Sequence, residues 1–187
     1  MNGITTPKSK IILGLDPGTQ VMGYGVIEQR GNKLLVLQMG VIHLKKYEDH
    51  FLKLKKIHER VIQIIAEYLP DEVAIEAPFY AKNVQAMLKL GRAQGVAVAA
   101  ALSRDVSVME YLPKKVKMAV TGNGNASKEQ VAAMLKSLLK FDETPEFLDA
   151  TDALAVAVCH HFQGKIPVAK SKSWASFLTE NPDRVKG

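Results

Sequence analysis

An α/β fold, a five-stranded mixed sheet flanked by helices, follows from three features of this sequence. Three short apolar runs come first and are separated by turn signals. After them, helical and strand patterns alternate. No internal repeat breaks that order, which reads β-β-β-α-β-α-β-α-α. Strands joined by tight turns pair antiparallel, while strands joined through a helix return parallel, so a meander of three is extended by two parallel strands. Helices are then expected on both faces.

Each element has its own signal. Lys10–Leu15 is apolar and is closed by Asp16-Pro17-Gly18, a strong turn sequence. Tyr24–Glu28 and Lys33–Leu44 are the second and third runs, with the tight-turn dipeptide Gly31-Asn32 between them. From Glu48 to Leu69 the apolar positions Phe51, Leu54, Ile57, Val61, Ile64, Ile65 and Tyr68 keep the step of an amphipathic helix, which Pro70-Asp71 stops. Glu72–Glu76 is a short buried-type strand ending on an acid. Val84–Arg104 reads as a long helix and Val106–Tyr111 as a strand. Pro113–Ala119 is a short helix at best, followed by a loop at Thr121–Asn125. Ser127 suits the N-cap of a helix over Lys128–Lys140, and Leu148–Phe162 is the last helix.

Composition narrows the class. The 187 residues are 47% hydrophobic and 24% charged, enough for one domain with a substantial core. Residues 1–9 are expected to be a disordered lead-in and 10–162 the folded domain. Residues 163–187 carry five basic and two acidic side chains and are expected to be a disordered basic tail. The longest apolar run, Gly95–Leu102, falls far short of the ~20 residues of a membrane span. Met1–Lys10 has no apolar core of a secretory signal. The single cysteine, Cys159, excludes an internal disulfide and makes no zinc spacing with His160 and His161, so a reducing, cytoplasmic setting is expected. The two histidines are expected near the surface, without a catalytic role. A net charge of +6 points weakly to a polyanionic partner.

Four carboxylates carry the chemistry: Asp16, Glu76, Asp149 and Asp152. Each has a dull explanation. Asp16 suits its turn, Glu76 a solvated strand end, and Asp149 and Asp152 the dipole of a helix start. Together they ask for more. Strand ends open onto a common rim, the usual ligand position in open α/β sheets. Asp149 and Asp152 stand three apart and share a helix face over the apolar run Ala153–Cys159. Such a cluster needs a counter-charge, because adjacent carboxylates raise each other's pKa. Two Mg²⁺ ions (or Mn²⁺) would neutralise the four acids, and two ions ~4 Å apart can stabilise both the attacking and the leaving oxygen of an in-line phosphodiester displacement.

The motifs around these acids resemble the RuvC family of bacterial Holliday junction resolvases. They are Leu13-Gly-Leu-Asp-Pro-Gly-Thr19, Ala74-Ile-Glu-Ala-Pro-Phe79 and Asp149-Ala-Thr-Asp-Ala-Leu-Ala155, with Ala81-Lys-Asn83, Leu88-Lys-Leu-Gly-Arg-Ala-Gln-Gly-Val96 and Gly122-Asn-Gly-Asn-Ala-Ser-Lys128 between them. The match runs in order from about Lys10 to Phe162. It implies a ribonuclease H-like fold and a homodimer that resolves four-way DNA junctions in recombination and repair by paired, symmetrical, Mg²⁺-dependent nicks. The four acids match the family's catalytic, metal-holding carboxylates. Some members carry His at one late position; here both are Asp.

By the same resemblance, Phe79 matches an aromatic that family members set against bases at the junction centre. Pro78 stops the strand and fixes a loop there. Lys117 and Lys128 match lysines near the scissile phosphate, and Lys114 and Lys115 join them around the Gly122/Gly124 loop as a candidate DNA-contacting edge. Lys117 and Lys128 also suit ordinary solvated helix positions. The stripe Gly91, Gly95 and Ala99 suits either packing on the sheet or a second copy of the chain, and the resemblance favours the second copy. A RuvA–RuvB branch-migration assembly is an implied partner.

The sequence also bears on other classes. Gly14–Thr19 also looks like the first phosphate loop of actin-like ATPases and sugar kinases, but those need a second domain and a second Gly-rich loop. A non-catalytic junction-binding module would have no use for all four acids. A related nuclease acting on RNA or another branched substrate is the closer rival.

Overall fold

The computed structural model describes residues 9–31, 33–78, 83–141 and 148–163. Within them, strands β1 (Ser9–Asp16), β2 (Val21–Arg30) and β3 (Lys33–His43) precede helix α1 (His50–Tyr68). Then come β4 (Glu72–Glu76), α2 (Val84–Leu102), β5 (Ser107–Tyr111), α3 (Pro113–Thr121), α4 (Lys128–Leu139) and α5 (Leu148–Gln163). The sheet order is β3-β2-β1-β4-β5. β1–β2 and β2–β3 are antiparallel, and β1–β4 and β4–β5 are parallel, as the element order requires. Gly31 takes the positive φ of 60° that the β2–β3 turn needs. Its neighbour Asn32 lies outside the described residues, as do most of the expected lead-in and tail.

Most boundaries shift by a residue or two from the sequence reading, and two of the changes lengthen an element for a clear reason. β2 starts at Val21, earlier than its apolar run, because Gly23 still pairs with Asp16. α3 is a full nine-residue helix reaching Thr121: Pro113 stands in its first turn, and Gly122 at φ 73° caps its end by donating to the Met118 carbonyl. The apolar side of this helix, Val116 and Val120, was too short a pattern to extend from sequence alone.

The sheet separates two cores, and side-chain alternation assigns residues to them. Leu13 and Leu15 of β1, with Val73 and Ile75 of β4, face α1 and α2. Ile12 and Ala74 face the other way, toward α3, α4 and α5. Asp16 and Glu76 have the parity of Ile12 and Ala74, so both strands end with an acid on the α5 side. β1 and β4 run in register up to Leu15–Ile75, which puts these two acids side by side at the rim.

Helix α5 lies close on the sheet because glycines floor its path. A Cβ on Gly14 would collide with the carbonyl oxygen of Ala153, and one on Gly23 with that of Asp149. Contacts with α5 backbone cannot be relieved by turning a side chain, so the helix itself would have to lift. Gly14→Ala is therefore expected to lower stability by about 1–3 kcal/mol, read from the urea midpoint. An unchanged midpoint would show that α5 sits less tightly than described. Among the described residues, no helix is long and apolar enough to cross a membrane.

Candidate active site

The acids converge from three elements. Asp16 is the last residue of β1, Glu76 the last of β4, and Asp149 and Asp152 sit in the first turns of α5. One carboxylate oxygen from each of Asp16, Asp149 and Asp152 lies within 4.8 Å of the others. Glu76 shares a cleft of about 520 Å³ with Asp16 and Asp152. Thr151 donates to the Leu148 carbonyl at 2.7 Å, which steadies the first turn of α5 between the two acids. Lys53 of α1 donates to the Thr19 carbonyl at 3.2 Å and so ties α1 to the turn that follows Asp16.

The opposite wall of the cleft is basic. Lys114 and Lys117 of α3 and Lys128 of α4 line it. Ser127 and Gln130 form a capping box that fixes the start of α4, and with it the root of Lys128. The Lys128 ammonium pairs with Asp152 and lies 3.5 Å from Asp149 Oδ1. Lys115 is turned elsewhere, its ammonium 5.3 Å from the centroid of the Tyr111 ring. Phe79 lies outside the described residues, as do Ala81 and Lys82.

Crowding of like charge shapes the electrostatics. Burial first, then Glu76 and Asp152, push the Asp16 carboxyl well above the usual carboxylate range, with Lys128 pulling the other way. Burial first, then Asp152, raise Glu76 to about 7, against the opposing pull of Lys128 and Lys117. Burial disfavours the Lys128 ammonium, but Asp152 and Asp149 outweigh it and hold its pKa above the ordinary lysine value. Hard oxygen donors gathered this closely fit a small divalent cation.

The histidines correct an expectation. His160 and His161 are buried, not near the surface. α3 and α4 pack over the apolar middle of α5, and burial continues through His160 and His161. His160 reaches across to Glu72 at the start of β4, and its Nδ1 is 2.7 Å from the Tyr111 hydroxyl. Lys10 completes the group, 2.6 Å from Glu72. Nothing in the spacing of these residues announced that network. Cys159 is fully buried, as expected of a core residue.

Residues 12–160 match the family model of the crossover junction endodeoxyribonuclease RuvC. The chain belongs to the RuvC family. The Cytophaga hutchinsonii crossover junction endodeoxyribonuclease RuvC is 64% identical over 184 residues, covering 97% of this chain and 92% of that protein. The Bacteroides fragilis RuvC is 59% identical over 183 residues, covering 96% and 97%. Among solved structures, Thermus thermophilus RuvC in complex with a Holliday junction substrate superposes with a TM-score of 0.77 at 33% identity, over 83% of this chain and 94% of that one. The yeast mitochondrial Holliday junction resolvase, at 15% identity and a TM-score of 0.59 over 79% and 76% of the two chains, shares the fold. RuvC membership accounts for the five-stranded mixed sheet with its helices and makes the chain a member of an endonuclease family.

Proposed function

We propose that this chain, acting as a homodimer, nicks two symmetry-related strands of a four-way DNA junction, with Asp16, Glu76, Asp149 and Asp152 holding two Mg²⁺ ions per subunit, replaceable by Mn²⁺. The observation that carries this reading is an acid cluster at the sheet rim, faced by a lysine wall across one cleft. Acids alone would repel DNA, and lysines alone would only bind it. Divalent cations held there supply Lewis acidity at the scissile phosphate and lower the pKa of an attacking water.

The chain's own residues do the rest. Lys114 and Lys117, which line the cleft, would hold phosphates, and Lys128 would join them when free of Asp152 and Asp149. Lys115, stacked on Tyr111, joins them only if DNA reaches the outer side of α3. Phe79, just beyond Pro78 at the end of β4, is the candidate to stack on a base, worth ~1–3 kcal/mol. The folded unit, residues 10–162, would act in the cytoplasm, with the RuvA–RuvB branch-migration complex as a partner.

The outer face of α2 supports dimerisation. A Cβ on Gly91 or Gly95 would meet nothing within the subunit, and Ala99 is exposed. Exposed Val84, Leu88 and Leu102 belong to the same helix. The small residues therefore do not serve packing on the sheet, where Ala93, Ala97, Ala100 and Ala101 do that work. Two catalytic clefts related by a two-fold axis would account for paired nicks.

The test is cleavage of a synthetic mobile four-way junction, a linear duplex and an RNA–DNA hybrid, each with and without Mg²⁺. Symmetrical paired nicks confined to the junction and requiring Mg²⁺ are expected. Preferential cutting of the hybrid would reassign the substrate.

A further inference from the structure

Among the described residues, Lys128 is the one cation in ion-pair contact with the acid cluster, and it contacts two of the three clustered carboxylates. Its ammonium contacts one oxygen of each, Asp152 Oδ2 and Asp149 Oδ1. A small divalent cation sits about 2.0–2.1 Å from its oxygen ligands, so an ammonium in contact with the same carboxylate would lie inside its repulsive reach. We propose that the Lys128 ammonium and a divalent cation are alternative occupants of Asp149 and Asp152, so that metal loading displaces Lys128 and frees it for a DNA phosphate. This rests on the metal assignment made above and adds a role for a residue outside the acid cluster.

The local architecture suits such an exchange. The backbone of Lys128 is held by the Ser127–Gln130 capping box, so only the side chain has to move. That side chain is 49% exposed, while Asp152 is 17% exposed, which leaves the ammonium an open path outward from a carboxylate that stays put. Lys117 and Lys114 line the same cleft without ion-pairing to the acids, so the swung-out ammonium would join an existing basic wall. The lysine thereby keeps the acids from repelling one another before the metal arrives. It acts as a positioning residue in that state and as a phosphate contact afterwards.

The exchange has a signature opposite to that of a ligand or a purely structural residue. Removing the lysine should tighten metal binding while slowing cleavage. Isothermal titration of chelator-stripped protein with Mn²⁺ is expected to show ~10-fold tighter binding to Lys128→Met than to the native chain, as loss of one competing charge predicts. Lys128→Arg, which retains the charge, should bind Mn²⁺ like the native chain. Unchanged or weaker binding by a folded Lys128→Met overturns the proposal.

The native chain provides a second readout that does not depend on any variant folding. Brief acylation followed by peptide mass spectrometry should label Lys128 several-fold faster with Mn²⁺ present, since the ammonium is then released from its carboxylates. Equal labelling in both conditions overturns the proposal. If Asp152→Asn binds Mn²⁺ as the native chain does, the metal assignment itself is wrong and this inference falls with it. Native Mn²⁺ binding that requires Asp152 but ignores Lys128 would defeat the exchange alone.

Discussion

Asp16→Asn, Asp149→Asn and Asp152→Asn are each expected to reduce junction cleavage by about 10³-fold or more, with junction binding retained. The amide keeps the shape of the carboxylate and removes its charge. Three of the acids offer oxygens within 4.8 Å of one another, so the loss of any one removes a ligand that no neighbour replaces. Binding should survive because the acids repel DNA phosphates, while Lys114 and Lys117 remain in the cleft. Single-turnover cleavage with saturating protein, alongside gel-shift binding in Ca²⁺, separates the two effects. Full cleavage by Asp152→Asn would remove that residue from the catalytic set. Equal loss of cleavage and binding would instead mean that the substitution had disturbed α5.

Glu76→Gln is expected to abolish cleavage yet make the metal-stripped protein more stable at neutral pH. Burial and Asp152 raise the Glu76 carboxyl from 4.5 to about 7 in the folded chain. A group whose folded pKa is raised contributes stability below its unfolded pKa and loses it as pH rises through the folded value. The native chain therefore becomes progressively less stable than Glu76→Gln between about pH 4.5 and 7. The gap approaches about 3 kcal/mol, the size of such a shift converted at 1.36 kcal/mol per pH unit. Urea titrations at pH 4 and pH 8 in chelator should show similar midpoints at the first pH and a higher midpoint for the variant at the second. Adding Mg²⁺ should reverse the order, because ligand binding stabilises the form that binds it. A native chain that remains the more stable one at pH 8 in chelator would mean that the charge on Glu76 is already compensated within the fold.

Both predictions describe one design. Burial and neighbouring carboxylates raise the pKa of Asp16 and Glu76, with Lys128 pulling the other way, so removing a charge from this cluster is expected to change stability as well as cleavage. Sites of this kind exchange stability for function, and neutral substitutions expose the exchange.

Much of this was legible in the sequence because it is local. Apolar periodicity determined every strand and helix to within a few residues, and the strand ends placed Asp16 and Glu76 at a common rim; that they share the α5 face came from the sheet register. The small-residue pattern of α5 and the glycines at 14 and 23 were visible too, although their meaning was not. Only the tertiary structure decided which partners meet. Lys128 reaches Asp149 and Asp152 because α4 packs across the start of α5, and Lys115 leaves the cleft because its place on α3 brings it over Tyr111. His160 is buried against Glu72 because α5 packs between the sheet and the helices α3 and α4. Hydrophobic period is a property of neighbours along the chain, and the chain alone determined the acids. The pairing of charges from separate elements is a property of how layers stack, and that stacking decided which lysine would face them.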